Sequence, residues 1–371
     1  MSENIRIINN VNTTSTEVKC PSCGASGGIK YDPATSTLTC PFCGHSSELQ
    51  LPVRPAEELD FNAAIQRANV NWGYIKKLIV CSNCGGQTLY DAEQVTGICP
   101  FCGSTSVAPA AENEQIMAPN AVIPFGVTKE MAQQCFINFL KRKNHLCKGV
   151  MDCKLENITG VYIPYWTFDV DTVTDYVVST GNYIPEGYTR PQDFSGIFYQ
   201  SFDDLFVFAS DKIRHPFIPK IQKFDFSKAV PYSPKYLAGF TAERYTVGLN
   251  DAFERAKKKI PKLIRRDISR FEENALKLSV IVTKDSTTYY NARFRYLLAP
   301  VYLAIYRYKD NKFMVAINGQ TGETYCDAPS TWPKMIIALA IAGGITLLII
   351  LILSLIFPDF FREQWYFWTH S

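Results

Sequence analysis

The sequence predicts a multidomain chain: two small β ribbons built around cysteine pairs, an α+β domain, and one C-terminal transmembrane helix. Three observations carry this. Eight of twelve cysteines fall in four C-x-x-C pairs, a helix-then-strands order occurs twice in the middle of the chain, and 23 residues near the end carry no charge. A length of 371 residues allows two or three folded units. Hydrophobic residues make up 47% and charged residues 20%, which excludes disorder along the whole chain and a multi-span channel. The formal net charge of +3 is close to neutral for this length and argues against a non-specific nucleic-acid binder.

Residues 1–19 are polar, lack an apolar h-region and are read as a flexible N-terminus. Sixteen residues lie between the pair Cys20/Cys23 and the pair Cys40/Cys43, and fourteen between the pair Cys81/Cys84 and the pair Cys99/Cys102. This two-knuckle spacing is that of a zinc ribbon of the rubredoxin-like kind, placed at 20–50 and 80–104. Gly24, Gly44, Gly85 and Gly103 follow each second cysteine, where a residue without Cβ relieves crowding behind the sulfur. Four thiolates fill a tetrahedral zinc ion and leave no position for water or substrate, so two structural Zn²⁺ are expected. A disulfide framework belongs to secreted domains, and a redox pair needs a thioredoxin-like βαβ setting that four tandem knuckles do not supply. Zinc thiolates need a reducing compartment, so the ribbons are expected in the cytoplasm.

Inside each ribbon a hairpin is expected: Ile29–Asp32 with Leu38-Thr39, and Thr88–Asp91 with Gly97-Ile98. A connecting segment, 51–79, holds a helix over Ala56–Asn71 with Leu59, Ala63, Ile65 and Val70 as apolar positions. Residues 105–120 read as a linker, and 121–330 as the α+β cytosolic domain. There a helix over Thr128–Lys143 turns Met131, Cys135, Phe136, Phe139 and Leu140 inward and precedes strands over Val161–Val178. A second helix, Asn250–Arg270, precedes strands over Ala292–Tyr308, Phe313–Ile317 and Gly322–Tyr325, with Asn318-Gly319 as a turn. The order helix then Tyr162–Trp166, helix then Leu298–Tyr302, reads as an internal duplication.

The second helix is basic and amphipathic. Lys257, Lys258, Lys259, Lys262, Arg265 and Arg266 form a candidate lipid-binding face beside an anionic leaflet, set against the plainer reading of a solvated face. Met335–Phe357 reaches ~34 Å as a helix, enough for a hydrocarbon core of ~30 Å. The tail, 358–371, holds Phe360, Phe361, Trp365, Tyr366, Phe367 and Trp368 and suits the far interface. The expectation is a single-pass, tail-anchored protein of the cell membrane with its N-terminus in the cytoplasm.

No catalytic constellation emerges. The chain has no Gly-Lys dipeptide, hence no P-loop, and no H-E-x-x-H. Gly24–Gly28 matches G-x-S-x-G only by letter, within a zinc knuckle. Cys135, His145, Cys147 and Cys153 are too irregularly spaced to define a further metal site, and Cys326 stands apart. Over residues 1–110 seven basic and nine acidic side chains give −2, the wrong sign for phosphate contacts, which favours docking of partner proteins over nucleic acid.

The double ribbon, Tyr162–Asp169 (YIPYWTFD), Ala229–Thr246 (AVPYSPKYLAGFTAERYT) and the terminal apolar run resemble the YdjG-type zinc-ribbon membrane proteins of Firmicutes, often described as transcription-factor-IIB-type. The resemblance implies a non-catalytic membrane scaffold in an envelope-stress operon. There it would act with a sister membrane protein to bring SPFH-like and phage-shock-protein-A (PspA)-type partners to the bilayer. It also implies metal ligation by the eight cysteines and no catalytic residue. The alternative function is a membrane-tethered, nucleic-acid-binding protein related to transcription or replication.

Overall fold

The computed structural model describes residues 18–25, 28–49, 56–66, 76–91, 98–109, 117–142, 153, 155–180, 191–211, 221, 223–308, 311–326 and 332–356. The expectations placed on the N-terminus, Val70, His145, Cys147 and the aromatic tail lie outside these residues.

The first ribbon is a three-stranded antiparallel sheet, β1 (Lys30–Asp32), β2 (Thr37–Thr39) and β3 (Ser46–Glu48). The chain then docks on the body through β4 (Leu59–Asp60) and α1 (Phe61–Gln66). The expected helix over Ala56–Asn71 is therefore helical only at Phe61–Gln66 among the described residues. Leu59 and Ala63 are exposed rather than buried. The buried anchors are Ala56 and the half-buried Phe61, whose ring meets Phe168, Phe253 and Phe294.

The second ribbon is not a free unit. Its strands β5 (Lys76–Cys81), β6 (Gln87–Asp91) and β7 (Val107–Pro109) belong to the main sheet. Val107–Pro109 lies in the segment read as a linker and pairs with Ile79–Cys81. A ribbon of this size cannot bury an apolar core alone. Leu78, Leu89 and Phe101 are buried, and Phe101 joins a cluster containing Val161, Leu297 and Leu303 of the body.

The body consists of β8 (Ala121–Val122), α2 (Lys129–Lys141), β9 (Leu155–Ser179), β10 (Asp193–Phe208), β11 (Val230–Pro231), β12 (Thr241–Glu243), α3 (Leu249–Lys257), α4 (Ile260–Leu276), β13 (Ile281–Tyr308), β14 (Asn311–Asn318) and β15 (Thr324–Cys326). In the sheet the order is β11-β8-β13-β9-β12-β6-β5-β7, with β10 on β9 and β14 on β13. The expected second helix is two helices, α3 and α4, parted at Lys258-Lys259 with Pro261 in the first turn of α4. In α2, Thr128 caps the N-terminus by accepting from Met131 N–H at 3.2 Å. Its buried residues are Ala132, Phe136 and Leu140, while Met131 is exposed.

The register gives the duplication a geometry. β9 and β13 run antiparallel with Ile163 opposite Ala299, Pro164 opposite Leu298 and Tyr162 opposite Pro300. Val122 of β8 lies beside Leu298 in parallel, and Ala242 of β12 lies beside Tyr162 in parallel. A pseudo-twofold axis through the Ile163–Ala299 pair therefore exchanges the two units. Hydrogen bonds repeat it. Ala209 N–H donates to Pro164 O at 3.0 Å and Gly319 N–H to Pro300 O at 2.8 Å. The carbonyl of Ala209 accepts from Thr246 and Val247, and that of Gly319 from Gly126 and Val127. Each short strand thus pairs with the long strand of the other unit, so neither half completes its sheet alone.

Val161–Phe168 and Leu297–Val301 are buried on both faces, as a central layer requires. Beyond this core β9, β10 and β13 continue as a three-stranded arm covered on one face by α4. β10 and β13 change register at Phe202/Leu205 and Tyr290/Arg293, where Asp204 and Asn291 adopt left-handed φ of 52° and 51°. Two β9 carboxylates hold these bulges. Asp169 accepts from Asp204 N–H at 2.9 Å, and Asp171 accepts from Ser201 at 2.6 Å and Asn291 at 3.0 Å.

A last helix, α5 (Trp332–Ile356), follows the body. Every described side chain from Ile336 to Ile356 is exposed. Counted over described side chains alone, no helix is long and apolar enough to cross a membrane.

The core is closed around Phe125, which stacks on Phe240 with centroids 4.1 Å apart. A Cβ at Gly319 would stand 2.5 Å from the Phe125 ring, and one at Gly160 would stand 2.4 Å from Phe240. Gly160→Ala and Gly319→Ala are each expected to cost about 1–3 kcal/mol in denaturant unfolding. Unchanged midpoints for both would contradict this packing.

Candidate metal centres

Each centre begins with its knuckles. Cys20, Cys40, Cys81 and Cys99 each place a carbonyl to accept from the glycine four residues on, at 2.9, 3.0, 2.8 and 2.9 Å. Those glycines, Gly24, Gly44, Gly85 and Gly103, all adopt φ of 68–74°, the left-handed conformation that a side chain resists. The tight turn brings both sulfurs of a pair to one side. The sulfur atoms then meet across the ribbon: Cys20–Cys43 at 3.6 Å, and Cys23–Cys40, Cys81–Cys102 and Cys84–Cys99 at 3.7 Å. A tetrahedral ion with Zn–S bonds of about 2.3 Å needs sulfurs about 3.8 Å apart. All eight cysteines named from spacing are brought together as two sets of four, and the two sets fit two structural zinc ions.

The electrostatics suit a cation. The Cys23 N–H helps hold the Cys20 thiol down to about 6. Hydrogen bonding from Cys99 and the Gly86 N–H hold Cys84 down to about 5, while Cys99 is pushed far up by the Cys84 thiolate. Four sulfurs this close cannot all ionise without a cation between them, so metal binding releases protons. Around the second centre Gly86 N–H donates to Cys84 Sγ at 3.4 Å and Asn83 Nδ2 to Cys102 Sγ at 3.5 Å.

The two centres differ in their settings. Cys23 and Cys43 are exposed, as is Phe42 at 70%. The first ribbon rests on the body through Tyr31, whose N–H donates to Ala238 O at 3.0 Å and whose ring meets Tyr236 edge-on. The second ribbon is continuous with the sheet, Leu89 pairing with Ala242 and Thr88 with Glu243. Glu243 is fully buried at this seam and accepts from Ser210 Oγ at 2.6 Å. Burial, with the Cys84 charge adding to it, holds its carboxyl well above the usual range. Nothing in the cysteine spacing signals this seam; the signal is the Thr241–Glu243 strand, read in sequence only as part of a motif.

The basic face is largely committed to the protein itself. Arg255 grips Asp211 with two bonds of 2.8 and 2.7 Å, and Arg265 meets Asp285 at 2.8 Å. Arg266 and Arg270 reach Asp267, at 2.9 and 3.9 Å. Lys257 pairs with Glu254 and lies over the Phe253 ring, and Lys259 donates to Phe206 O at 2.8 Å. Lys258 and Lys262 are exposed and have no acidic partner among the described residues.

Sequence reading missed a carboxylate group, Glu58, Asp169 and Asp203, gathered where β4 meets the bulged strands. Arg293 and Arg295 approach Glu58 at 3.5 and 3.9 Å, and Arg295 also pairs with Asp204. Burial, then the neighbouring Glu58, push Asp169 up to about 6. These groups tie the connecting segment to the body. Cys135, Cys153 and Cys326 are partly buried, and Cys135 packs against Gly322.

Comparison with known proteins agrees with the geometry. Residues 76–107 match a zinc ribbon domain family, the match running from β5 to the start of β7. Over 342 residues, 88% of this chain and 94% of the relative, the sequence is 28% identical to the uncharacterized protein YdjG of Bacillus subtilis (strain 168). The chain is thus a zinc-ribbon protein related to YdjG along most of its length. No solved structure matches it.

Replacing one ligand per centre separates their roles. Cys20→Ser and Cys81→Ser are each expected to lower bound zinc from two ions to one by elemental analysis. Cys81→Ser should also destabilise the body by more than about 4 kcal/mol, since metal loss there removes strands from the main sheet. Equal effects of the two on body unfolding would contradict the seam.

Proposed function

We propose that the protein is a non-catalytic, tail-anchored scaffold of the cell membrane that presents its first ribbon to partner proteins on the cytoplasmic side. The observation that carries this reading is the combination of a closed, metal-held ribbon exposing Phe42 with a terminal helix that is apolar all round. Such a helix is covered either by protein or by lipid, and its described side chains are exposed. Positions 335, 338 and 354, filled by Met, Ala and Ser, complete an uncharged run of 23 residues. A bilayer is the covering that suits it.

Both metal sites are closed by four sulfurs, so their chemistry is structural. The first ribbon is the docking end because Phe42 is its most exposed large apolar side chain, at 70%, whereas Leu78, Leu89 and Phe101 of the second are buried. Partners of envelope stress, SPFH-like or PspA-type, together with a sister membrane protein, are the ones that the resemblance implies. Nucleic acid is disfavoured by the acidic ribbon segment and by a basic face whose charges are mostly spent on Asp211, Asp267 and Asp285.

Two measurements test the reading. The full chain should float with membranes and resist carbonate extraction; recovery in the soluble fraction would overturn the anchor. From detergent-solubilised membranes, Phe42→Ala should keep two zinc ions and lose co-purifying proteins. Partners retained by Phe42→Ala would move docking away from the first ribbon.

A further inference from the structure

The sheet edges are managed unequally. β7, β11 and β15 are two or three residues long, as short edges that resist pairing usually are. β10 is sixteen residues long, and among the described residues it pairs only with β9. From Phe194 to Phe202 (FSGIFYQSF) it carries no charge and no proline, the two devices that usually blunt an edge. Ile197 and Tyr199 are 57% and 69% exposed, and Phe271 of α4, beside the Phe198 ring at 6.0 Å, is 56% exposed.

We propose that this edge pairs antiparallel with the same edge of a second copy, joining two three-stranded arms into one sheet. The ladder parity decides which groups are free. Thr180 N–H donates to Gln192 O at 3.1 Å. In an antiparallel ladder such bonded pairs alternate, so even-numbered residues of β10 turn their N–H and C=O toward β9. Those of Ser195, Ile197, Tyr199 and Ser201 point outward.

A twofold axis at Phe198 then satisfies every outward group in this stretch. Ile197 meets Tyr199 of the second copy and Ser195 meets Ser201, each pair exchanging two backbone bonds. On the α4 side, Phe198 meets its own copy and Phe194 meets Phe202, giving aromatic cross-strand pairs. The stretch is self-complementary because it reads aromatic, serine and apolar residues symmetrically about Phe198. The bulge at Asp203-Asp204, with its left-handed Asp204, ends the pairing where like charges would approach.

The test is the mass of the full chain in mild detergent at micromolar concentration, by light scattering. Wild type is expected as a dimer and Tyr199→Pro as a monomer, since proline removes an outward donor that the β9 ladder does not use. Two bound zinc ions in the variant show that it is folded. A wild-type monomer, or a folded Tyr199→Pro that stays dimeric, would overturn the proposal. The register is tested separately. Ser195→Lys/Ser201→Lys opposes like charges and should dissociate, whereas Ser195→Lys/Ser201→Glu opposes unlike charges and should remain dimeric. Equal behaviour of those two variants would overturn pairing about Phe198.

Discussion

The antiparallel contact of the two long strands around Ile163 and Ala299 is the constraint on which the molecule depends. Every other strand of the body is placed by it, directly or through one neighbour. The short strand of each unit lies on the long strand of the other, so the halves cannot fold apart. Trp166 shows what this does inside the core: it is fully buried, and its indole N–H finds Val247 O at 2.8 Å, where the chain leaves β12 to enter α3. Pro164 and Pro300 would normally be misplaced in central strands because each lacks a donor. Here their carbonyls are taken by Ala209 and Gly319, so the sheet uses the group that proline still offers.

Zinc extends this sheet rather than decorating it. In the second ribbon the metal-held knuckles bracket a hairpin whose Leu89 pairs with Ala242, and the strand of Ala242 lies on β9. The chain of contacts from Cys81 to the pseudo-twofold axis is short and consists of backbone pairing. The first ribbon has a small separate sheet and touches the body mainly through Tyr31. One centre thus belongs to the fold and the other stands at its surface, although the two have the same ligands and the same geometry.

Local signals were legible in the sequence and long-range ones only in part. The C-x-x-C spacing and the following glycines specify both metal sets, because a zinc knuckle is closed within a few residues. The two helix-then-strands units were visible because their apolar patterns repeat, yet their exchange of short strands was not: Ala121–Val122 and Thr241–Glu243 are too short to carry a strand signal of their own. The break between α3 and α4 was marked by Pro261, which suits the first turn of a helix, but the basic periodicity masked it. The same periodicity suggested a lipid-facing surface, on which Arg265 and Arg266 meet acids while Lys258 and Lys262 are exposed. Asp211 and Asp285 come from distant segments, so no helical pattern could have announced them. Asp169 and Asp171, inside the segment read as strands over Val161–Val178, prove to hold two bulges.

Amide hydrogen exchange of the full chain, with and without a zinc chelator, tests the central claim most directly. The account predicts the slowest exchange in Val161–Phe168 and Leu297–Leu303. It also predicts that zinc removal accelerates Gln87–Asp91 and Thr241–Glu243 together. Exchange at Thr241–Glu243 that stays unchanged while Gln87–Asp91 opens would contradict it, by showing that the second ribbon is an appended unit and not part of the sheet.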